Sequence, residues 1–442
     1  MRNILFILLL FFSVATLNVA NAQNLRITHV WSHTNLSFDL NKLYNYNKYE
    51  KHRFGAGFFI NTPLKYDNRY GTLFQNSFYA DIYSAWGMGD NAWKYGGSIA
   101  LRFPRYILRK VYLGYLHDIE KAGNHHFEPY NIFNTTGNST YISSHYSAVD
   151  RIWGGVDVDV LGPGFITAEL RHSAERLLFD AYSRLYPLAY ENEALPRKNF
   201  NELHLRLKWG KDWMVDILAG ESHPFGERLG SGTDLQEFAS IVAQYSHTFT
   251  VGKKNDKLSI FGQTGTTVNS RTPISRRFDM SGTGGSHFFF RNTFLTVTPN
   301  SLTADQYLQL CFNYTFETPL WRARISKPKV FLQLNSMWGM LATDDGPKAQ
   351  NTYTLLDCYP VDETTMNLPV TDLITLTAPS KGLLEPSIGI DYLLHWGIFD
   401  FGAAVAYQLA PQNSLYYKDN FLDKFAVMLV AKLIFETLDF NF

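Results

Sequence analysis

The chain has 442 residues with 40 basic and 40 acidic side chains, so it lacks the basic footprint of a nucleic-acid binder. Aromatic residues make up 16% and charged residues only 18%, against roughly 25% charged in an ordinary globular chain. That balance suits an outer-membrane barrel with aromatic girdles, and a large secreted β-protein would share it.

At the N-terminus, Arg2 precedes an apolar run from Ile4 to Val14, and Ala20-Asn21-Ala22 forms a cleavage site before Gln23. This is the pattern of a secretory signal peptide over residues 1–22. No cysteine follows the apolar run, which argues against a lipoprotein anchor. Beyond residue 22 no stretch of about 18 apolar residues could serve as a membrane helix. The remainder, 23–442, shows no Pro- or Ser-rich linker and reads as one exported domain of repeated strands.

Leu36–Leu40 and Phe54–Ile60 are expected to open the strand series. The hairpin from Phe78 to Phe103 follows. In its second arm Trp93, Tyr95, Ile99, Leu101 and Phe103 alternate with Lys94, Ser98, Ala100 and Arg102, and Gly87 to Asn91 supply a turn. Period-2 alternation continues at Val111, Leu113 and Tyr115, at Val156 and Val158, and at Ile166, Ala168 and Leu170. It is clearest where Leu203, Leu205, Leu207 and Trp209 alternate with Glu202, His204, Arg206 and Lys208. Ile241–Val251 and Leu258–Thr264 flank a further turn signal at residues 252–256.

The ionised residues share the face opposite the apolar ones. A Lys or Arg turned to lipid at the bilayer midplane costs roughly 2–4 kcal/mol, whereas a wet lumen accommodates it. Asp157, Asp159, Glu169, Arg171, Arg206 and Lys208 are therefore the candidate lumenal charge network. A soluble sandwich would also accept these residues, on its solvent face.

The chain stops at Leu438-Asp439-Phe440-Asn441-Phe442, with Leu438, Phe440 and Phe442 on one face. This terminal strand resembles the carboxy-terminal recognition signal of bacterial outer-membrane barrels. Together with the leader, the aromatic excess and the serial hairpins it favours a barrel over a sandwich. The expected fold is all-β, a transmembrane antiparallel β-barrel of about 16 strands, with 14 or 18 as the neighbouring even counts.

Pro273-Ile274-Ser275-Arg276-Arg277-Phe278, with Gly282, Gly284 and Gly285, resembles the P-x-x-x-R-F-x-x-G-G start of the inward-folded loop in BamA/TamA-type surface-antigen barrels. Where those barrels continue with an R-G-F triplet, this chain has Phe288-Phe289-Phe290-Arg291-Asn292. Phe294–Asn300, Asp305, Tyr307–Phe316, Lys327–Val330, Asn335–Leu341, Glu385–Leu394, Tyr407 and Asp419–Leu429 are similar to a Bacteroidota family of uncharacterised barrels. That family is distantly like the surface-antigen barrels and usually follows a carboxypeptidase-regulatory-like domain. Here Ser301-Leu302 stand for the family's Glu-Phe, and Gln306 for its Arg. The resemblance implies fold and location, with Arg277, Phe278, Gly282 and Gly285 in an inward loop, and it implies no chemistry.

A search for chemistry returns little. His172-Ser173 and Ser246-His247 are adjacent on strands, so each pair points to opposite faces and forms no nucleophile–base contact by itself. Asp157 and Asp159 share a face but suit the charge network better than a protease site. His125-His126 lack partners at metal-ligand spacing. G-x-S-x-G, H-E-x-x-H and Walker patterns are absent. Tyr44, Tyr46 and Tyr49 read as girdle or loop before sugar platform. Cys311 and Cys358 are the two cysteines; a disulfide is permitted after export, and two unrelated residues is the simpler reading.

The expectation is a non-enzymatic outer-membrane barrel without cofactor or metal, acting as an accessory or structural subunit in assembly or translocation of outer-membrane or surface components. Its partners would be outer-membrane lipid, lipopolysaccharide, and another envelope protein or barrel-assembly machinery, with no nucleic acid. A passive pore and a lipopolysaccharide-modifying enzyme are the alternatives.

Overall fold

Alternating sequence becomes strand over most of the described chain. The computed structural model describes residues 26–433 apart from 66–74, 122–144, 180–197, 225–235, 283–291, 355–372, 412–417 and breaks of one to four residues. The leader, His125-His126, Gly285, Cys358 and the terminal Leu438, Phe440 and Phe442 lie outside the described residues.

The first strands are β1 (Arg26–Trp31), β2 (Thr34–Asp39), β3 (Tyr44–Asn47), β4 (Lys51–Pro63), β5 (Ser77–Gly87), β6 (Ala92–Arg102), β7 (Leu108–Lys121) and β8 (His145–Asp159). β9 (Gly164–Phe179), β10 (Lys198–Trp209), β11 (Trp213–Pro224), β12 (Gln236–Val251) and β13 (Asp256–Thr267) follow. The last are β14 (Phe278–Asp279), β15 (Thr303–Ala304), β16 (Gln306–Thr315), β17 (Lys329–Met340), β18 (Gln350–Thr354), β19 (Leu373–Thr377), β20 (Leu383–Trp396), β21 (Phe399–Tyr407) and β22 (Phe425–Leu433).

Eighteen of these strands pair into one sheet. β2 and β3 share one edge of β4. The pairs β14–β15 and β18–β19 are two-stranded inserts within the connections β13–β16 and β17–β20. Among the described residues β1 and β22 end the sheet, and no pairing joins them.

The hairpin β5–β6 decides which face is wet. Trp93 is 59% exposed, and Tyr95, Ile99 and Leu101 beside it on the same face are exposed too, while the intervening Lys94 is 3% exposed. β10 repeats the arrangement: Leu203, Leu207 and Trp209 face out, whereas Glu202, His204 and Arg206 are buried. A soluble sandwich buries its apolar face. Here the apolar face is turned outward and the ionised face inward, which is stable only where lipid covers the outside. The fold is an antiparallel transmembrane β-barrel of the outer-membrane type, and the sandwich alternative falls. No helix among the described residues is long and apolar enough to cross a membrane; the strands do the crossing.

The two ends differ. At one end the connections include residues 160–163, 210–212, 252–255 and 397–398, with 316–328 a longer member. At the other end the strand pairs β7–β8, β9–β10, β11–β12, β13–β16, β17–β20 and β21–β22 are joined by stretches of 11 to 42 residues of sequence. Short turns belong to the periplasmic end and long loops to the outer end. The tight turns use left-handed backbone where they need it: Gly252 has φ +68° and Asn255 φ +58°, conformations open to glycine and asparagine.

Candidate functional site in the barrel interior

The connection between β13 and β16 does not remain at the rim. Thr272, Ser275 to Phe278, Met280, Gly282, Thr293 to Val297 and Leu302 are all buried. At Gly282 an added Cβ would lie 2.0 Å from the Phe294 carbonyl oxygen, so the two arms of the segment approach closely only because this residue has no side chain. A 3-10 turn at Ile274–Arg276 then sends two successive arginines to different partners.

Arg276 reaches β9 and β10. Its Nε donates to Glu202 Oε1 at 2.5 Å, and its two terminal nitrogens donate to Glu175 at 2.9 and 2.8 Å. Its guanidinium carbon sits 3.7 Å from the centre of the Phe200 ring. Glu175 also lies 3.5 Å from Arg151, which holds Glu120 through two hydrogen bonds of 3.0 and 2.8 Å. Charges thus alternate along Glu120, Arg151, Glu175, Arg276 and Glu202, so each buried charge has a partner that offsets its loss of water.

Arg277 turns the other way. It donates to Asp305 Oδ2 at 2.9 Å and to the Thr272 carbonyl at 3.1 Å. The same Asp305 oxygen accepts the Ala342 amide at 2.9 Å. Phe278 pairs with Ala304 across β14–β15 and places its ring 4.7 Å from that of Tyr307.

The far arm is held by β17 and β20. Glu385 accepts the Leu295 and Thr296 amides, each at 2.8 Å, and the Thr296 hydroxyl at 2.5 Å. Asn335 donates to the Thr293 carbonyl at 2.7 Å. Leu295 joins a cluster with Phe331, Ala404, Ala406, Met428 and Val430, tying the segment to β21 and β22. Lys418 donates to the Thr296 carbonyl at 2.8 Å, and burial holds its ammonium below the ordinary lysine range.

The described parts of the β13–β16 connection are therefore fixed on two sides: 272–280 to β9 and β10, and 292–297 to β17, β20 and the β21–β22 cluster. Residues far apart in the sequence motifs, Asp305, Asn335 and Glu385, converge on these parts. Arg276, Glu175 and Glu202 are anchors that the motif reading passed over. The arginine doublet was their one visible signal.

The six ionised residues expected to form a lumenal network are found with the following neighbours. Arg171 hydrogen-bonds Glu169, whose other oxygen accepts the Tyr112 hydroxyl at 2.7 Å. Asp157 accepts the Thr167 hydroxyl at 2.8 Å. Arg206 is 3.5 Å from Asp216. Asp159 is 3.0 Å from Arg109, and Lys208 lies 5.9 Å from the Phe165 ring centre. Glu169–Arg171 is a pair formed within the six.

The histidine–serine candidates separate as strand geometry requires. His172 faces out and bonds Asn201 at 2.7 Å, while Ser173 faces in and donates to Glu175 at 2.9 Å. His172 borders an outward hollow of about 900 Å³ between Leu113, Ile152, Leu170 and Leu203. His247 pairs with Asp212 at 3.0 Å. Tyr44 packs on Phe54 and Tyr49 on Tyr146. Cys311 is a buried free thiol. Among the described residues no group of three or more His, Cys, Asp or Glu is placed to hold a metal ion.

No family model and no curated protein matches the chain. Among solved structures it is similar to BamA from Haemophilus ducreyi lacking POTRA domains 1–3, with TM-score 0.47 and 9% identity over 94% of this chain and 76% of that one. It is also similar to CdiB from Escherichia coli, with TM-score 0.43 and 11% identity over 91% of this chain and 63% of that one. For CdiB from Acinetobacter baumannii the TM-score is 0.40 and the identity 9%, over 86% of this chain and 57% of that one. The chain thus spans less than two thirds of either CdiB.

Proposed function

We propose that this chain works in the bacterial outer membrane as a non-enzymatic barrel whose interior is occupied by the described parts of the β13–β16 connection, 272–280 and 292–297. In this reading it is an accessory or structural subunit in the assembly or translocation of outer-membrane or surface components. The observation that carries the reading is the double anchoring of the segment, by Arg276 on Glu175 and Glu202 and by Glu385 on Leu295 and Thr296. A passive solute path needs a wet interior, and buried Arg276, Phe294 and Leu295 occupy this one. Export by cleavage after Ala22, lipid and lipopolysaccharide around the apolar band, and a partner from the envelope or the barrel-assembly machinery belong to the same reading.

The test is purification in detergent, mass spectrometry of what co-purifies, and planar-bilayer conductance of the isolated barrel. A stoichiometric envelope partner with a silent barrel supports the accessory role. Steady conductance with no partner overturns it in favour of a passive pore.

A further inference from the structure

The chain as a whole is neutral, but its short-turn end is not balanced locally. Three successive connections at that end carry exposed basic residues: Lys211 in 210–212, Lys253 and Lys254 in 252–255, and Arg322 and Lys327 in 316–328. None of these five has an acidic partner among the described residues. The nearby carboxylates are already engaged. Asp212 pairs with His247. Asp256 takes the Tyr314 hydroxyl and the Glu317 amide, each at 2.9 Å. Glu317 lies between Lys257 and Lys329, and Asp400 pairs with His395 at 2.7 Å.

The basic residues sit beside a girdle of aromatic ones. Trp209, Trp213, Phe249 and Phe316 are exposed at the same strand ends, with the Trp213 ring 4.7 Å from Tyr245 and the Phe316 ring 4.8 Å from Tyr314. The described residues of 316–328 extend this girdle as a hydrogen-bonded finger. Leu320 bonds Pro328 at 2.8 Å, and Ala323 bonds Ser326 at 2.8 Å. The finger is stitched to β20 by Lys327 to Tyr392 at 3.1 Å and His395 to Ile325 at 2.8 Å. It exposes Leu320 at 57%, Trp321 at 49% and Ile325 at 56%, next to Arg322 and Lys327.

An indole and aliphatic side chains with flanking cations match one environment: the boundary where acyl chains meet headgroups. The cations adjoin exposed rings along the chain, with Lys211 between Trp209 and Trp213 and Arg322 next to Trp321, so charge and girdle are contiguous. We propose that this collar is a binding surface for anionic phospholipid in the leaflet next to the short turns. Leu320, Trp321 and Ile325 enter the boundary, and Lys211, Lys253, Lys254, Arg322 and Lys327 hold lipid phosphates. The proposal needs the transmembrane fold and is independent of what the barrel assembles.

The experiment compares the full barrel with the K211Q/K253Q/K254Q/R322Q/K327Q variant. Retention of phosphatidylglycerol against phosphatidylcholine is read by native mass spectrometry. Quenching of tryptophan emission by brominated phosphatidylglycerol is read in parallel, with Trp321→Phe to isolate that residue. The expected result is a preference for phosphatidylglycerol that falls roughly tenfold or more in the variant, on the scale of surface attraction per basic residue. Heat-modifiable gel mobility, which a folded barrel keeps, shows that the variant is intact. Equal retention of the two lipids by the wild type, or an unchanged preference in the variant, overturns the proposal. So does loss of a co-purifying protein from the variant with the lipid preference intact, which would assign the collar to a protein partner.

Discussion

Arg276 lies with its guanidinium carbon 3.7 Å from the centre of the Phe200 ring, on the side of the interior where Glu175 and Glu202 take its hydrogen bonds. The ring covers one face of the cation and the carboxylates take its edge, so the charge is satisfied without water. No other residue type provides a flat cation with a donor fork of this shape.

Arg276→Ala leaves two buried carboxylates short of a partner, and removing one member of a buried ion pair costs about 3–5 kcal/mol. The variant is expected to lose its heat-modifiable gel mobility at a clearly lower temperature than the wild type, and to conduct in planar bilayers. Arg276→Lys keeps the charge and loses the fork, so it should fall between the two. An unchanged transition together with a silent Ala variant would mean that the segment is held by its other contacts alone.

Glu385→Ala removes the acceptor of two backbone amides and a hydroxyl. Leaving buried donors unmatched costs about 1–3 kcal/mol per group, enough to release the far arm of the segment. The measurement is limited trypsin digestion in detergent. The wild type should resist cleavage after the buried Arg276 and Arg277, and Glu385→Ala should be cut there while the strands survive. Equal resistance of both proteins would show that Glu385 is not an anchor.

Glycine substitutions separate crowding from general strand effects. At Gly282 a new methyl would meet the Phe294 carbonyl at 2.0 Å, whereas at Gly154 the nearest atom, Leu113 Cδ1, is 3.4 Å away. Gly282→Ala should therefore lower the thermal transition and expose the segment to trypsin, with Gly154→Ala close to wild type. Equal behaviour of the two would contradict the close approach of the segment's arms.

Much of this fold could be read from the chain, because strand alternation is local. Trp93 and Lys94 point to opposite faces whatever surrounds them. The alternation did not tell which face is wet, since a sandwich and a barrel write the same pattern; the exposure of Trp93 and burial of Lys94 decide it. The interior site was only half legible. The Arg-Arg-Phe-Gly pattern drew attention to residues that are buried, Arg277, Phe278 and Gly282, but Glu175 and Glu202 are spread along strands whose register with Arg276 no local signal encodes. The pairing within the ionised inner face was hidden for a related reason. Arg206 finds Asp216 across β10–β11, and cross-strand pairing depends on register as much as on face.

Glu317 offers a pH test away from the membrane-spanning strands. The hydrogen bond from Lys329, with Lys257 on its other side, lowers its pKa from the ordinary glutamate value. A carboxyl whose folded-state pKa is depressed contributes stability that is present above the unfolded value. That contribution is lost as pH falls through the folded one. The carboxyl carbon of Glu317, followed by NMR, should titrate below the range of about 4.3 typical of free glutamate. In Lys329→Met the midpoint should move up towards it. A wild-type midpoint at the free value would remove the pair from the account of the short-turn end.

Leu170 tests the membrane assignment directly. It is 67% exposed and lies between Gly154 on β8 and Leu203 on β10, inside the outward apolar band. On a soluble sandwich, arginine at so exposed a position would be nearly neutral. In a bilayer it should cost roughly 2–4 kcal/mol if the residue is near the midplane and less towards either interface. Leu170→Arg refolded into phosphatidylcholine vesicles should unfold at lower denaturant than the wild type. Leu207→Arg, two outward positions nearer the girdle residue Trp209 than Leu203 is, should lose less. Wild-type stability for both variants in vesicles would place the apolar face outside the lipid, and the barrel reading of the exposed leucines would fall with it.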